Sequence, residues 1–368
     1  MLQMTSFIIE REKIEQNARE IISRAGDATV FAVVKGYGYG FGLDEYISIL
    51  HACGIRHFAV TDVSDALQIK KKELADTDIL MLRSTSLSDE VSLLIENDVI
   101  LTIGSTDAAV AANRIALEKE KHARVHIKID TGMGRYGFSP SDTEQIVSVY
   151  TSFPALSPCG IYTHLTSAFK SRRVTERQTD TFLALCSELK ARGIDCGTVH
   201  FANSAYLFRF REPLGSAVRI GSAFTGRIAC KTRRSGLSRV GSLESNVCEI
   251  RWLSPGSKVG YGGAYTAKRA VKTAVIPVGY ADGFCTEKAR DTYRLRDGIF
   301  YVLSDIKRLL SKKSVYVKIN GRHAKVLGHI GMTHTVCDIT DIPCEIGDTA
   351  EFDVNPIYVS RDIYKEFI

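Results

Sequence analysis

Lys35 closes an apolar run, Phe31-Ala32-Val33-Val34, and opens a segment in which glycines alternate with aromatics, Gly36-Tyr37-Gly38-Tyr39-Gly40-Phe41-Gly42. An amine carried to the end of a buried strand loses hydration, so its pKa falls and it becomes a nucleophile for carbonyl groups, the chemistry of a Schiff-base lysine. Taken alone, such a lysine is most often a surface residue ending its strand. The loop after it shifts that balance. Four glycines in seven positions let backbone come close to a ligand, and Tyr37 and Tyr39 set flat, hydrogen-bonding faces beside the amine.

Other stretches combine a strand-like run with a reactive or ligand-binding residue. Lys128-Ile129-Asp130-Thr131-Gly132-Met133-Gly134-Arg135-Tyr136-Gly137-Phe138 ends in an arginine whose fork suits a carboxylate, although a solvated charged loop has the same composition. Thr163-His164 carries a lone histidine, usually a structural residue. His200-Phe201-Ala202-Asn203-Ser204 offers an Asn-Ser helix cap, and a helix N-terminus with free amides is also a phosphate site. Val218-Arg219-Ile220-Gly221-Ser222 follows another apolar run. Tyr261 and Tyr280 sit in glycine-rich turns where tyrosine is ordinarily a packing residue.

These stretches, in this order, resemble the bacterial alanine racemases over nearly the whole chain. Val34-Lys35-Gly36-Tyr37-Gly38-Tyr39-Gly40 is similar to that family's lysine loop, and the resemblance implies pyridoxal 5'-phosphate (PLP) held on Lys35, with Tyr39 among the cofactor contacts. The segment from Lys128 looks like the family signature KxDTGMxRxG. It implies that Arg135 holds the substrate carboxylate and the catalytic tyrosine, and that Lys128 matches a lysine carbamylated in many members. By the same resemblance His164 lies against the pyridine ring. Ser204, in a stretch like HxANS, binds phosphate. Arg219, in a stretch like VRxG, faces the pyridine nitrogen, and Gly221 and Ser222 supply phosphate-binding amides. Tyr261 matches the catalytic tyrosine that reaches the aldimine from the neighbouring subunit of a homodimer. Tyr280, in Gly279-Tyr280-Ala281-Asp282-Gly283, matches the residue narrowing the substrate entrance.

Arg219 separates chemistries. A carboxylate at that position would keep the ring nitrogen protonated and make the ring a strong electron sink, whereas a permanently charged arginine disfavours that proton. A weaker sink leaves a short-lived carbanion and calls for two placed bases, which favours racemisation over transamination or elimination. The resemblance implies alanine as the substrate and D-alanine for peptidoglycan as the product's use, with serine or another small amino acid as the rival substrate. A non-catalytic PLP carrier shares the barrel and lysine but lacks the C-terminal β-domain. A basic amino acid decarboxylase is disfavoured by Arg219.

The family pattern is not followed everywhere. Leu327-Gly328-His329-Ile330-Gly331-Met332-Thr333-His334 stands where GRxCMDQ is usual; Met332 is kept, and its amide would still meet the substrate carboxylate. The segment before it is longer than usual and charged (Glu287, Lys288, Arg290, Asp291, Arg294, Arg296, Asp297). The terminal stretch only loosely matches the family, so Tyr358 is carried over as a phosphate ligand on that loose match.

Positioning these residues requires strands that end together. A helix is expected over 11–25, from Ile14, Ala18, Ile21 and Ile22 before Gly26. Eight apolar runs follow, beginning with the lysine strand and ending with Ala217-Val218-Arg219-Ile220, with helical stretches between them. That is the pattern of a (β/α)8 TIM-type barrel, whose site lies at the C-terminal strand ends. From about residue 230 short β-type runs appear without helices, and Asn320-Gly321 signals a hairpin. The expected domains are therefore 1–230, a PLP-binding barrel whose first ten or so residues can pair with the C-terminal domain, and 231–368, a mainly-β domain with a partly helical insertion near 283–313.

With 368 residues, 45% hydrophobic and 24% charged, the composition is that of a soluble globular protein. A net charge of +6 without long basic blocks gives no footprint for nucleic acid. No run reaches transmembrane length and no signal-peptide core precedes Glu10, so a cytoplasmic protein without a membrane partner is expected. Nine scattered cysteines without CxxC or zinc spacing read as free thiols, and no metal is expected.

Overall fold

The computed structural model describes residues 5–210, 214–230, 235–290, 294–311 and 314–368. Asp291 and the rest of 291–293 and 312–313 in the expected insertion, and the stretch 231–234 at the expected boundary, lie outside the described residues. The chain divides into two compact units, Glu10–Val240 and a second formed by Met1–Ile9 with Gly241–Ile368. Strand β1 (Thr5–Ile9) therefore belongs with the C-terminal half, and helix α1 (Arg11–Ala25) opens the first unit.

Eight parallel strands close the barrel of that unit, as the alternation of apolar runs and helices predicts. They are β2 (Thr29–Val33), β3 (His57–Val60), β4 (Asp78–Ser84), β5 (Ile100–Ile103), β6 (Ala123–Lys128), β7 (Leu156–Tyr162), β8 (Thr198–Asn203) and β9 (Ala217–Ile220). The strands are apolar almost throughout because both faces are covered: the inner face by other strands, the outer by helices. Those helices are α2 (Asp44–Ala52), α3 (Val63–Lys70), α4 (Ser88–Glu96), α5 (Thr106–Glu118), α6 (Thr143–Thr151), α7 (Arg172–Ala191) and α8 (Ser204–Arg209). Phe31, Val33, Ala59, Leu80, Ile100 and Ala217 form one cluster of the inner packing. Closer to the strand ends, inward positions turn polar.

Asn17 is the one fully buried polar side chain on α1. Its amide donates to the carbonyls of Phe224 (3.0 Å) and Ser238 (2.8 Å), and its oxygen accepts the Ser238 N–H (2.8 Å). It thereby ties the first helix to the chain leaving β9.

The second unit is built on a sheet of nine strands among the described residues. Strands β10 (Ser242–Asn246) and β11 (Glu249–Leu253) precede a two-stranded ribbon, β12 (Lys258–Val259) and β13 (Tyr265–Thr266), whose turn carries Tyr261. Then follow β14 (Val271–Ile276), β15 (Tyr316–Ile319), β16 (Arg322–Val326), β17 (Thr335–Asp338), β18 (Thr349–Phe352) and β19 (Tyr364–Phe367). β1 lies between β10, antiparallel, and β19, parallel. The expected hairpin at Asn320-Gly321 is present, both residues at positive φ (49° and 74°) as a type I′ turn requires. The insertion forms α9 (Leu295–Leu310), none of whose residues is buried. Leu295, Ile299, Val302, Ile306 and Leu309 recur on one face at helical spacing, 47% to 82% exposed.

Asn17→Ala would take the partner from the buried Phe224 carbonyl and from the half-buried Ser238 carbonyl and N–H. The expected loss is roughly 2–4 kcal/mol in urea unfolding, and a loss below about 0.5 kcal/mol would be that of an ordinary surface change and would show that Asn17 does not tie α1 down.

Candidate active site

Lys35 leaves the end of β2 through a turn of unusual hand. Gly36, Tyr37 and Gly38 have φ/ψ near 63°/45°, 55°/52° and 64°/37°, and Tyr39 continues at φ 55°. Four successive left-handed residues are disfavoured for L-amino acids, which explains the alternating glycines and leaves Tyr37 and Tyr39 strained. The turn is closed by Gly38 N–H to the Val34 carbonyl (2.9 Å) and Gly40 N–H to that of Gly36 (3.2 Å). It delivers the Tyr39 hydroxyl to Gly221 at the end of β9, so close that a Cβ on Gly221 would lie 2.2 Å from it.

A cavity of about 380 Å³ opens at this end of the barrel, within the size range of small-molecule sites. Lys35, Tyr39, Lys128, Arg135, His164, Ser204, Arg219, Gly221 and Ser222 all line it. The Gly221 N–H donates to the Ser204 hydroxyl (3.2 Å), so Ser204, Gly221 and Tyr39 converge on one corner. Asn203 caps α8, its side-chain oxygen accepting the Tyr206 N–H (3.1 Å).

Arg219 is buried, and its described partners are neutral. One nitrogen donates to His200 Nδ1 (2.9 Å) and to the His200 carbonyl (3.0 Å), the other to the Thr163 carbonyl (2.6 Å). The guanidinium also lies over the Tyr162 ring, 4.7 Å from its centre. Because His200 Nδ1 accepts, its Nε2 carries the proton and donates to His126 Nδ1 (2.9 Å). Burial lowers Arg219 to about 10, which leaves it charged at neutral pH.

That cation controls its neighbours. His164 falls to about 3, first through desolvation and then through Arg219, and stays neutral. Desolvation, then Arg219, brings buried Lys128 to about 7; its amine donates to the Ile129 carbonyl (3.0 Å). Lys35 is lowered by desolvation and then by Arg135, although its amine stays open to the cavity. Desolvation also raises Tyr39 to about 12.

Arg135 stands on a loop organised by Asp130. The carboxylate accepts the N–H groups of Gly132 (2.9 Å), Met133 (2.6 Å), Gly134 (2.7 Å) and Arg135 (3.2 Å). Burial alone would raise its pKa, but the four donors outweigh it and hold the carboxyl below its usual range.

The other expected residues lie in the second unit. Tyr261, Tyr280 and Met332 gather along the segment Gly328–His334: Gly260 comes within contact of His329 N, and the Tyr280 and Ala281 N–H groups donate to the carbonyls of Gly331 (3.1 Å) and Met332 (3.0 Å). All three side chains are exposed, Tyr261 at 82%. Tyr358 is half-buried beside Gly283. Asp130, His126, His200, Tyr162 and Thr163 support the site without having been assigned from sequence. The signal for part of this set was available: Arg124, His126 and Lys128 alternate with apolar residues along β6, so the three share one face of the strand.

A closed eight-stranded barrel followed by a mainly-β domain is the fold of a group of solved structures. An alanine racemase from Clostridium difficile 630 superposes with a TM-score of 0.85 at 24% identity, covering 99% of this chain and 95% of that one. One from Streptomyces lavendulae gives 0.85 at 20%, covering 100% and 98%. The family model for the alanine racemase N-terminal domain matches residues 9–228, and that for the C-terminal domain matches 240–355. Among curated relatives, the alanine racemase of Desulforamulus reducens is 30% identical over 91% of this chain and 85% of its own length. That of Methylacidiphilum infernorum is 31% identical over 90% and 78%. The chain belongs to the alanine racemase family.

The depressed Lys128 amine has a stability consequence. An unfolded lysine titrates near ~10.4 and the folded one at about 7, so between these values the unfolded chain binds the extra proton and stability rises with pH. The full penalty is present below about 7. In bicarbonate-free buffer, Lys128→Met should gain stability over the parent below that pH and lose the advantage near ~10. A pH-independent difference in urea midpoints would exclude a depressed Lys128.

Proposed function

We propose that this chain interconverts L- and D-alanine with PLP, as a homodimer with shared sites, in the cytoplasm, where its product supplies peptidoglycan. The observation that carries this is the convergence of Lys35, Arg219 and the Ser204–Gly221–Tyr39 corner on one cavity of cofactor size. No helix of the described residues is long and apolar enough to cross a membrane.

The residues fit the cofactor. The corner where even a Cβ on Gly221 would strike Tyr39 brings the Ser204 and Tyr39 hydroxyls together for a phosphate, with the Gly221 N–H and Ser222 next to them. Tyr358 is proposed as a further phosphate ligand. The neutral His164 ring offers a flat face to the pyridine, Arg219 a charge for its nitrogen, and Lys35 the amine of attachment. When bound, PLP withdraws electrons from the substrate α-carbon and so acidifies its proton.

The chain's own residues then do the positioning and proton transfer. Arg135, held by the Asp130 loop, takes the substrate carboxylate with the Met332 amide. The Lys35 amine, lowered by desolvation and Arg135, is a base for one face of the α-carbon. Tyr261 serves the other face. Its 82% exposure on its own unit suits a residue that works in a partner subunit. Tyr280 narrows the entrance. A carbamate on Lys128 would place an anion beside Arg135 and Arg219, and the fall of Lys128 to about 7 supplies the neutral amine that carbon dioxide requires.

Borohydride reduction of the PLP-loaded protein followed by peptide mapping should place the pyridoxyl group on Lys35, and L-alanine should lose optical activity faster than L-serine. A label on another lysine would overturn the site, and faster loss from serine the substrate.

Two bases predict asymmetry. Tyr261→Ala should slow α-deuterium loss from L-alanine by roughly 10²- to 10⁴-fold while sparing the D-enantiomer, which Lys35 serves. Equal slowing of both would mean that one base works both faces.

A further inference from the structure

The barrel carries a second reactive cluster far from the strand ends. Helix α7 stops in a Schellman closure: the Gly193 N–H meets the Lys190 carbonyl (3.0 Å), the Ile194 N–H meets that of Leu189 (3.0 Å), and Gly193 is left-handed at φ 80°. The chain turns back along the helix it has just left. Cys186 precedes the cap residue Arg192 by six positions, or ~9 Å of helix. Cys196 follows it by four, a returning span of up to ~13 Å. The reversal carries Cys196 back alongside the helix that bears Cys186, and the two thiols stand close enough that each shifts the other's ionisation. Both line an open cavity of about 700 Å³ with Lys190 and Asp195. The buried Tyr150 hydroxyl, on α6, faces this pair and has no conventional hydrogen-bond partner.

We propose that Cys186 and Cys196 are a reversible redox pair that closes to an intramolecular disulfide when a hydroperoxide enters this cavity. The Cys186 thiol and the neighbouring Tyr150 hydroxyl lower Cys196 despite its burial, while Cys186 is held up, so Cys196 is the readier of the two to ionise. That sulfur attacks the peroxide oxygen, the O–O bond breaks, and Cys196 becomes a sulfenic acid with release of hydroxide. The Cys186 sulfur then attacks Cys196, the S–O bond breaks, and the departing hydroxide takes the Cys186 proton as water. Two thiols and one hydrogen peroxide give one disulfide and two waters. The bridge would fasten the end of α7 to the lead into β8, whose far end carries Asn203 and Ser204.

The test uses the reduced full-length protein and hydrogen peroxide, followed by alkylation and non-reducing peptide mapping. A peptide linking Cys186 to Cys196 that returns to two thiols with dithiothreitol is expected. In Cys186→Ser protein a dimedone label should accumulate on Cys196, several-fold more than on Cys186 in the Cys196→Ser protein. Recovery of both residues as free thiols in the parent protein, under conditions that oxidise the exposed Cys248 and Cys285, would falsify the proposal without recourse to either variant.

Discussion

Burying the Arg219 guanidinium obliges the barrel to satisfy it with neutral acceptors, since no carboxylate pairs with it among the described residues. The Thr163 carbonyl, the His200 carbonyl and the His200 ring perform that task, and each must be held by something else. Tyr162 stacks on His200 at 4.8 Å while its hydroxyl bonds Thr102 (2.9 Å) and the Leu82 carbonyl (3.1 Å). Four strands are thereby locked to one cation. A buried charge is tolerated where it is hydrogen-bonded, and here three such bonds tie the ends of β7 and β8 to the guanidinium on β9.

Burial first, and the same charge second, explain why so many neighbouring groups are neutral. His126, His164 and His200 cannot easily acquire a second proton beside Arg219, and Lys128 loses much of its preference for one. A cavity lined by a neutral His164 and two lysines of lowered pKa, and anchored by two arginines, attracts anions through Arg219 and Arg135 while making its amines easier to deprotonate. Charge and basicity are divided between residue types that cannot exchange roles: arginine stays charged, lysine is adjustable.

Much of the barrel was legible because a parallel strand buried on both faces leaves an uninterrupted apolar run, and each of the eight runs from Phe31 to Ile220 became a strand. The residues lining the cavity were legible because they stand where those runs end. What the sequence hid was pairing. Nothing in the spacing of His126, His200 and Arg219 announces that three strands chain them together, since His126 reaches His200 across 74 positions and His200 reaches Arg219 across 19. The left-handed turn was hidden for a different reason: alternating glycines announce freedom, while the hand is set by where Val34 and Gly221 must be.

That turn also places the chain in tension with itself. Tyr37 and Tyr39 occupy a region of backbone space that disfavours any side chain, at roughly 1–2 kcal/mol each. Glycine at either position would relax the backbone, yet glycine at 39 removes the hydroxyl that rests on Gly221. Selection for heat resistance and selection for a well-formed cavity therefore pull residue 39 in opposite directions. Among thermally selected variants of this chain, substitutions should collect at Tyr37, whose ring packs on Gly42, before they reach its neighbour two positions along.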